Sequence, residues 1–266
     1  MAELPDVGGV PDCLRLTVRG AVALLELHRP AKRNALDDAT VAALHGFFSA
    51  PPASLRAVVL HGAGSHFCAG LDLSELSARS VAEGIAHSRQ WHRAFEQIQF
   101  GTVPVVAVLH GAVVGGGLEL AAAAHIRVAE RSTFYALPEA ERGIFVGGGG
   151  SVRISRLIGV ARVMDMMLAG RRYSAEEGLA IGLSHYLVDG REAGLAKGIA
   201  IAERIAENAP LTNFAVLQAL PRIAESGHAE GLLTEALMAA IAQGDPEAKR
   251  RIDDFLAKRA PKVAPA

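Results

Sequence analysis

Two short apolar segments that end in the same turn constrain the fold of this chain more than any other feature. Residues 58–63 read VVLHGA and residues 106–112 read VAVLHGA, and a glycine-containing loop with an acidic residue follows each copy. Strands that are apolar without alternation are typical of parallel sheets covered on both faces. Two copies are too few to establish a repeat architecture. They indicate two similar strand ends, side by side in a layered spiral, each able to direct one backbone N–H to the same point.

The remaining hydrophobic pattern predicts an α/β protein with a helical C-terminal part. We expect a spiral core over residues 1–190 and a helical region over 191–266, whose amphipathic faces predict contacts with sister subunits. The predicted strands are Leu14–Arg19, Ala21–Leu27, Ala57–Leu60, Val105–Leu109 and His185–Val188. The predicted helices include Asp37–Ala50, Val81–Gln99, an alanine-rich helix ending at Ala124, Ser151–Ile158, Val160–Ala169 and Ser174–Ile181.

Composition excludes several classes of protein. The chain has 266 residues and a formal net charge of −1, so no electrostatic excess points to nucleic acid or to an anionic membrane. Residues 1–6 have no basic region or apolar run typical of an export signal, and no apolar run is long enough to span a bilayer. Cys13 and Cys68 form neither a disulfide framework nor a metal spacing. A soluble cytoplasmic protein is expected.

Glu119 and Glu139 are the main candidates for chemistry. Glu119 follows three glycines in the first turn of the alanine-rich helix, and Glu139 follows Pro138 in an apolar stretch. Both have structural explanations, because the helix dipole favours a carboxylate in the first turn and a loop carboxylate can accept backbone hydrogen bonds. Burial among apolar neighbours would instead raise the pKa of each carboxyl toward the range in which acid–base catalysis works.

Backbone groups beside glycines are the second candidate feature. Glycines at a helix entry expose N–H groups that favour negative charge, and Gly70 permits a turn that leaves the N–H of Leu71 pointing outward. Tight packing is the alternative, and the spacing fits neither a dinucleotide fingerprint nor a P-loop. A lone cysteine such as Cys68 is more often a buried hydrophobe than a nucleophile. Asp72 is expected to cap the following short helix, and 147–150 to be a close-packed loop.

Five segments in a fixed order form a recognisable series of motifs. They are Leu27–Leu36 (LHRPAKRNAL), Phe67–Leu73 (FCAGLDL), His110–Leu120 (HGAVVGGGLEL), Pro138-Glu139 and Gly143–Arg153 (GIFVGGGGSVR). Each alone is weak evidence, but the ordered series resembles the enoyl-CoA hydratases of the crotonase superfamily over essentially the whole chain. The resemblance implies a crotonase-like spiral of β-β-α repeats with a helical C-terminal region, assembled as homotrimers or dimers of trimers.

The resemblance also implies roles for individual residues. Glu119 and Glu139 match the two catalytic glutamates of hydratases, whereas members that act only as isomerases typically keep one. Leu71 and Gly116 would lend the two N–H groups of an oxyanion hole. Residues expected to line the substrate and coenzyme A channel are Lys32, Arg33, Ala69, Asp72, Leu73 and Gly147, the last of which matches a glycine that helps to hold the water. Coenzyme A enters as part of the substrate, so neither a separate cofactor nor a metal is expected.

The chain departs from the family pattern at three positions and shares one run with a subgroup. Ser74 replaces a frequent lysine, Val146 a proline and Val263 a C-terminal aromatic residue, which affects the expected adenine and 3′-phosphate contacts. The run 142–153, together with 208–214, is similar to methylthioacryloyl-CoA hydratases, which act in bacterial dimethylsulfoniopropionate breakdown.

The function expected from this evidence is addition of water to an α,β-unsaturated acyl-CoA thioester, with methylthioacryloyl-CoA as a candidate substrate whose thioester is then hydrolysed. An isomerase or an acyl-CoA hydrolase of the same fold is the nearest enzymatic alternative. A non-catalytic acyl-CoA-binding protein is the alternative from another class, and a nicotinamide oxidoreductase is disfavoured by the glycine spacing.

Overall fold

The described part of the chain, residues 9–75, 79–257 and 259 of this computed structural model, alternates strands with helices. Its strands are β1 (Leu14–Arg19), β2 (Val22–Leu27), β3 (Ala57–Gly62), β4 (Val105–Leu109), β5 (Ala112–Val114), β6 (Ile126–Glu130), β7 (Phe134–Ala136), β8 (Tyr173–Ser174) and β9 (Tyr186–Val188). Its α-helices are α1 (Asp38–Ser49), α2 (Val81–Gln99), α3 (Gly116–Ala123), α4 (Gly150–Ile158), α5 (Val160–Leu168), α6 (Ala175–Ile181), α7 (Arg191–Ala206), α8 (Pro210–Glu225), α9 (His228–Gly244) and α10 (Pro246–Leu256). The predicted α/β class is confirmed.

A six-stranded sheet in the order β1-β2-β3-β4-β6-β9 forms the framework of the first part of the chain. β1 and β2 pair antiparallel as a hairpin, and each later pair of neighbours in this sheet is parallel. β3 and β4 lie side by side, with Val58 opposite Val105, so the two similar strand ends are neighbours, as predicted. A smaller sheet pairs β5 with β7 in parallel and β7 with β8 antiparallel.

Both faces of the central strands are covered, which explains why their sequences do not alternate with polar residues. Val58 and Leu60 of β3 belong to the larger hydrophobic core, whereas Val59 belongs to a second cluster that includes Val108 of β4 and Ile199 of α7. Because successive side chains of a strand point to opposite faces, a strand between two cores must be apolar at every position.

Helix α7 covers the outer face of the six-stranded sheet. A Cβ atom on Gly198 would lie 2.4 Å from Cγ2 of Val108, so glycine permits the helix to approach the sheet this closely. One compact unit of the chain consequently extends to Ala206, and a second begins at Glu207. The boundary predicted at residue 190 differs from this division, because α7 packs on the sheet.

The second unit contains the three helices α8, α9 and α10. Asp245 begins α10 by accepting hydrogen bonds from the N–H groups of Glu247 and Ala248, and Arg251 of the same helix donates to Glu247 and to the carbonyl of Glu207. Several large apolar side chains of this unit are exposed, namely Phe214, Val216, Leu220, Leu232, Leu233, Leu237, Ile241, Ile252, Phe255 and Leu256.

Two sequence expectations fall outside the described residues, namely the N-terminal segment 1–6 and the C-terminal position Val263. Within the described ranges, none of the helices combines the length and apolarity needed to cross a membrane. The same ranges contain no cluster of histidine, cysteine, aspartate or glutamate side chains suited to hold a metal ion.

Candidate active site

Two backbone N–H groups from different segments lie beside one another. Gly70 adopts a left-handed conformation (φ 94°). Leu71, the next residue, forms an isolated parallel β-bridge with Leu36. Gly116 begins α3, and a Cβ atom on it would lie 3.5 Å from the nitrogen of Leu71 and 2.7 Å from the ring of Trp91. Among the described residues, no hydrogen bond occupies the N–H of Leu71 or of Gly116. Both donors therefore remain available to an oxygen atom in front of them.

Glu119 is buried in the first turn of α3, with 3% of its surface exposed. Its Oε1 atom accepts hydrogen bonds from the N–H groups of Gly148 at 2.8 Å and Gly150 at 2.7 Å. Burial raises the pKa of Glu119, and these N–H donors and the positive charge of Arg153 oppose that rise. The hydrogen bonds favour the ionised form because a carboxylate is the stronger acceptor.

Glu139 is the second buried carboxyl group, and its surroundings differ from those of Glu119. It precedes the short 3-10 helix Ala140–Arg142, and its Oε1 lies 2.6 Å from where a Cβ atom on Gly115 would be. Its buried Oε2 has no hydrogen-bond partner among the described residues. Burial, with a smaller contribution from the charge of Glu119, raises the pKa of Glu139 to about 7.

The two glutamates and the two N–H donors meet at one cavity of about 260 Å³. Leu71, Gly116, Glu119 and Glu139 all line it, so the structure brings together the residues predicted for catalysis and for the oxyanion hole. The other lining residues are Arg79, Gly84, His87, Ser88, Trp91, Ile144, Phe145, Val146, Gly147 and Gly148. Gly147 was also expected here from the sequence.

The remaining residues predicted to contact coenzyme A are not among those that line this cavity. Ala69 donates its N–H to the carbonyl of Arg33, and Leu73 begins the short helix Leu73–Glu75 with its side chain 45% exposed. Lys32 is exposed and lies 3.9 Å from the carboxylate of Asp72. Their binding roles stay predictions.

Asp72 is engaged within the protein. Its carboxylate accepts from the N–H and the hydroxyl of Ser74, which confirms the predicted cap, and it pairs with Arg29 at 2.9 Å. The hydrogen bond from the Ser74 hydroxyl and the contact with Arg29 lower the pKa of Asp72 to about 2. Asp72 therefore fixes the conformation of the loop that carries Leu71.

Cys68 belongs to the hydrophobic core, as the sequence predicted. Its side chain is fully buried, and burial raises the pKa of the thiol to about 12. Since only the thiolate is an effective nucleophile, this residue is inert at neutral pH.

Comparison with known proteins identifies the family. The family model described as enoyl-CoA hydratase/isomerase matches residues 17–264. The chain belongs to this family.

Relatives that match nearly the whole chain are also described as enoyl-CoA hydratases. An assigned enoyl-CoA hydratase of Bacillus subtilis (strain 168) is 31% identical over 253 residues, which cover 94% of this chain and 98% of that protein. A crystal structure of an assigned enoyl-CoA hydratase from Rhodopseudomonas palustris CGA009 is 57% identical with a TM-score of 0.91, covering 97% of this chain and 98% of that one. The enoyl-CoA hydratase structure from Bacillus anthracis is 29% identical with a TM-score of 0.87, covering 94% and 98%. The spiral therefore has the crotonase fold of enoyl-CoA hydratases.

A further relative matches only in part. The fatty acid oxidation complex subunit alpha of Shewanella loihica is 43% identical over 129 residues, which are 47% of this chain and 18% of that protein.

Sequence reasoning missed three residues around Glu119 in this member of the enoyl-CoA hydratase/isomerase family. The loop 147–150 was expected only to pack closely and to place Gly147, yet the N–H groups of Gly148 and Gly150 bind Glu119. Arg153 had no predicted role, and its guanidinium binds the same loop. A signal existed, because a glycine run before a helix exposes N–H groups to an anion, but nothing in the sequence links this run to a glutamate 29 residues earlier.

Proposed function

We propose that the chain adds water to the α,β double bond of an enoyl-CoA thioester, using Glu119, Glu139 and an oxyanion hole made by Leu71 and Gly116. The observation that carries this proposal is the common cavity that all four residues line. Coenzyme A enters only as part of the substrate.

The oxyanion hole acts when water attacks the β carbon. Electrons then move onto the thioester oxygen, which becomes an enolate oxygen with negative charge. The N–H groups of Leu71 and Gly116 would each donate to that oxygen, and one such donor is worth about 3–4 kcal/mol of transition-state stabilisation. A Cβ atom on Gly70 would lie 3.3 Å from the nitrogen of Gly116, and one on Gly116 would lie 2.7 Å from the ring of Trp91, so glycine keeps both positions open.

The two glutamates divide the proton transfers. Glu119, whose ionised form is stabilised by two N–H donors, takes a proton from the attacking water. Glu139, whose raised pKa keeps it protonated near neutral pH, gives its proton to the α carbon. One proton must then pass from Glu119 to Glu139, directly or through water, to restore the starting state.

The finer substrate proposal is methylthioacryloyl-CoA. Its support is the run 142–153, which includes the loop that binds Glu119. Hydration at the β carbon would give a hemithioacetal that releases methanethiol and leaves an aldehyde. A second water could then hydrolyse the thioester with the same pair of glutamates.

We also propose assembly as a homotrimer or a pair of trimers. The many large apolar side chains exposed on α8, α9 and α10 support it, because exposed apolar surface commonly marks an interface. Sedimentation of the purified protein would measure the number of subunits.

The test replaces each carboxyl with its amide. Glu119→Gln and Glu139→Gln should each abolish the loss of conjugated enoyl-thioester absorbance and still bind a non-reactive acyl-CoA in calorimetry. Near wild-type turnover by either variant would refute the paired-carboxylate mechanism. Mass spectrometry of the products over short, branched, aromatic and methylthio enoyl-CoAs distinguishes hydration from isomerisation and hydrolysis. Tight binding without turnover over that panel would instead identify a non-catalytic acyl-CoA-binding protein.

A further inference from the structure

Arg153 is a buried cation that the proposed function leaves unexplained. Its side chain is 8% exposed and lies on the first turn of α4. Nε donates to Oε1 of Gln99 at 2.6 Å, and Nη1 donates to the carbonyl oxygen of Gly148 at 2.9 Å. Burying a charge costs several kcal/mol before its partners compensate, so such a residue is expected to serve a purpose.

The contact with Gly148 fixes the peptide group between the two that bind Glu119. The carbonyl of Gly148 belongs to the peptide joining residues 148 and 149, which lies between the peptides carrying the N–H groups of Gly148 and Gly150. Both N–H groups point to the same carboxylate oxygen of Glu119. Rotation of the central peptide would turn both donors, so Arg153 holds the orientation of the pair.

Gly149 is adapted to this arrangement. It adopts a left-handed conformation (φ 96°), and a Cβ atom on it would lie 2.3 Å from Nη1 of Arg153. A side chain at this position would therefore displace the guanidinium. The absence of a side chain at Gly149 thus leaves room for the guanidinium of Arg153 beside the carbonyl of Gly148, which accepts its hydrogen bond.

The positive charge acts on Glu119 in the same direction as the two N–H donors. All three favour the carboxylate over the carboxylic acid, against the effect of burial. Other titratable groups surround this pair on the neighbouring elements, namely Glu139 and Arg142 after β7, His92 and Glu96 on α2, and Arg156 further along α4.

We propose that Arg153 is a positioning residue, which fixes the Gly148 carbonyl so that the flanking N–H groups stay directed at an ionised Glu119. This inference rests on the proposed function, in which Glu119 is the general base. It predicts that loss of Arg153 changes the protonation of Glu119 and leaves substrate binding nearly intact.

The experiment compares pH profiles of kcat for wild type, Arg153→Met, Arg153→Lys and Arg156→Met. Arg156 is exposed further along the same helix, so its variant removes the same charge while keeping the hydrogen bond from Arg153 to the Gly148 carbonyl. We expect Arg153→Met to lower kcat at neutral pH about 10- to 100-fold with a KM within about threefold of wild type. The acidic limb of this variant's kcat–pH profile should lie about one pH unit higher than that of wild type. Arg153→Lys should recover much of the acidic limb and less of kcat, because lysine restores the charge without the planar fork.

An unshifted acidic limb in a folded Arg153→Met enzyme would overturn the inference, and so would an equal shift in Arg156→Met. If Arg153→Met does not fold, Gln99→Ala, which removes the acceptor of Nε, is measured in the same way and is expected to shift the limb in the same direction. If wild type hydrates no enoyl-CoA, the proposed function fails separately. The carboxyl ¹³C titration of Glu119, assigned with Glu119→Gln, then tests Arg153 without turnover, and an unchanged titration in the variant refutes it.

Discussion

Replacing Glu139 with glutamine should remove a destabilisation that grows with pH. Burial raises the pKa of this carboxyl from its ordinary value of 4.5 to about 7. Between these values the folded protein binds the proton more tightly than the unfolded chain does. The free energy of unfolding must therefore fall as the pH rises through this interval, and the loss is complete above the folded pKa.

The magnitude follows from the size of the shift. At about 1.4 kcal/mol per pKa unit, the rise corresponds to about 3 kcal/mol between low pH and pH values above 7. No discount for solvent screening is needed, because Glu139 is only 7% exposed. Glutamine keeps the shape of the side chain but cannot ionise, so Glu139→Gln should lack this loss.

Urea unfolding at pH 5 and pH 8, followed by fluorescence, measures the effect. The chain has a single tryptophan, Trp91, which is buried and lines the cavity. Relative to wild type, Glu139→Gln should gain about 2 kcal/mol or more in the free energy of unfolding on going from pH 5 to pH 8. Glu141→Gln, at an exposed position two residues along, is the matched control and should follow wild type. A difference between Glu139→Gln and wild type that does not change with pH would refute the reasoning.

Three further predictions concern the neighbouring loops and the core. Gly70→Ala should lower kcat about tenfold or more. Residue 70 has a left-handed backbone conformation, and the added Cβ atom would lie 2.8 Å from the carbonyl oxygen of Val114. A wild-type kcat in steady-state assays of this variant would contradict the prediction. Gly150→Ala should also reduce kcat about tenfold or more, since its Cβ atom would lie 2.9 Å from Oε1 of Glu119; single-turnover assays measure the loss, and an unchanged rate would count against the assigned base. Cys68 should resist iodoacetamide at pH 8 until the protein unfolds, because burial raises its thiol pKa to about 12; mass spectrometry of labelled native protein would detect the contrary.

The strands β1, β2, β3, β4 and β9 and the helices between them could be predicted because local sequence determines them, whereas β5, β6, β7 and β8 were not predicted. The predicted strands and helices up to Val188 begin and end within two residues of the observed ones, among them Val81–Gln99. Apolar runs indicate a strand or helix, and glycine or proline residues indicate where it ends. Both signals depend on a few neighbouring residues, so they can be recognised without tertiary structure. The division at Ala206 could not be read in this way, since it depends on Gly198 meeting Val108 of a distant strand.

The site was predictable in its members but not in its internal contacts. Glutamates in apolar surroundings are costly unless used, which made Glu119 and Glu139 candidates, and the resemblance of the ordered motifs to enoyl-CoA hydratases selected them. For Asp72 the sequence predicted the helix cap, which includes Ser74, but not the ion pair of its carboxylate with Arg29. Such partnerships depend on which segments the fold brings together.

The difference between the two glutamates comes from their hydrogen bonds and not from their burial, because both are almost fully enclosed. Two carboxylates at one cavity cannot both ionise readily, so one proton is retained by the pair near neutral pH. Glu119 has two N–H donors and a nearby guanidinium, which stabilise its negative charge, whereas Oε2 of Glu139 has no partner among the described residues. The proposed mechanism therefore places the proton on Glu139. In that mechanism the fold provides a base and an acid from the same residue type, and moving the Gly148–Gly150 donors away from Glu119 should weaken that distinction.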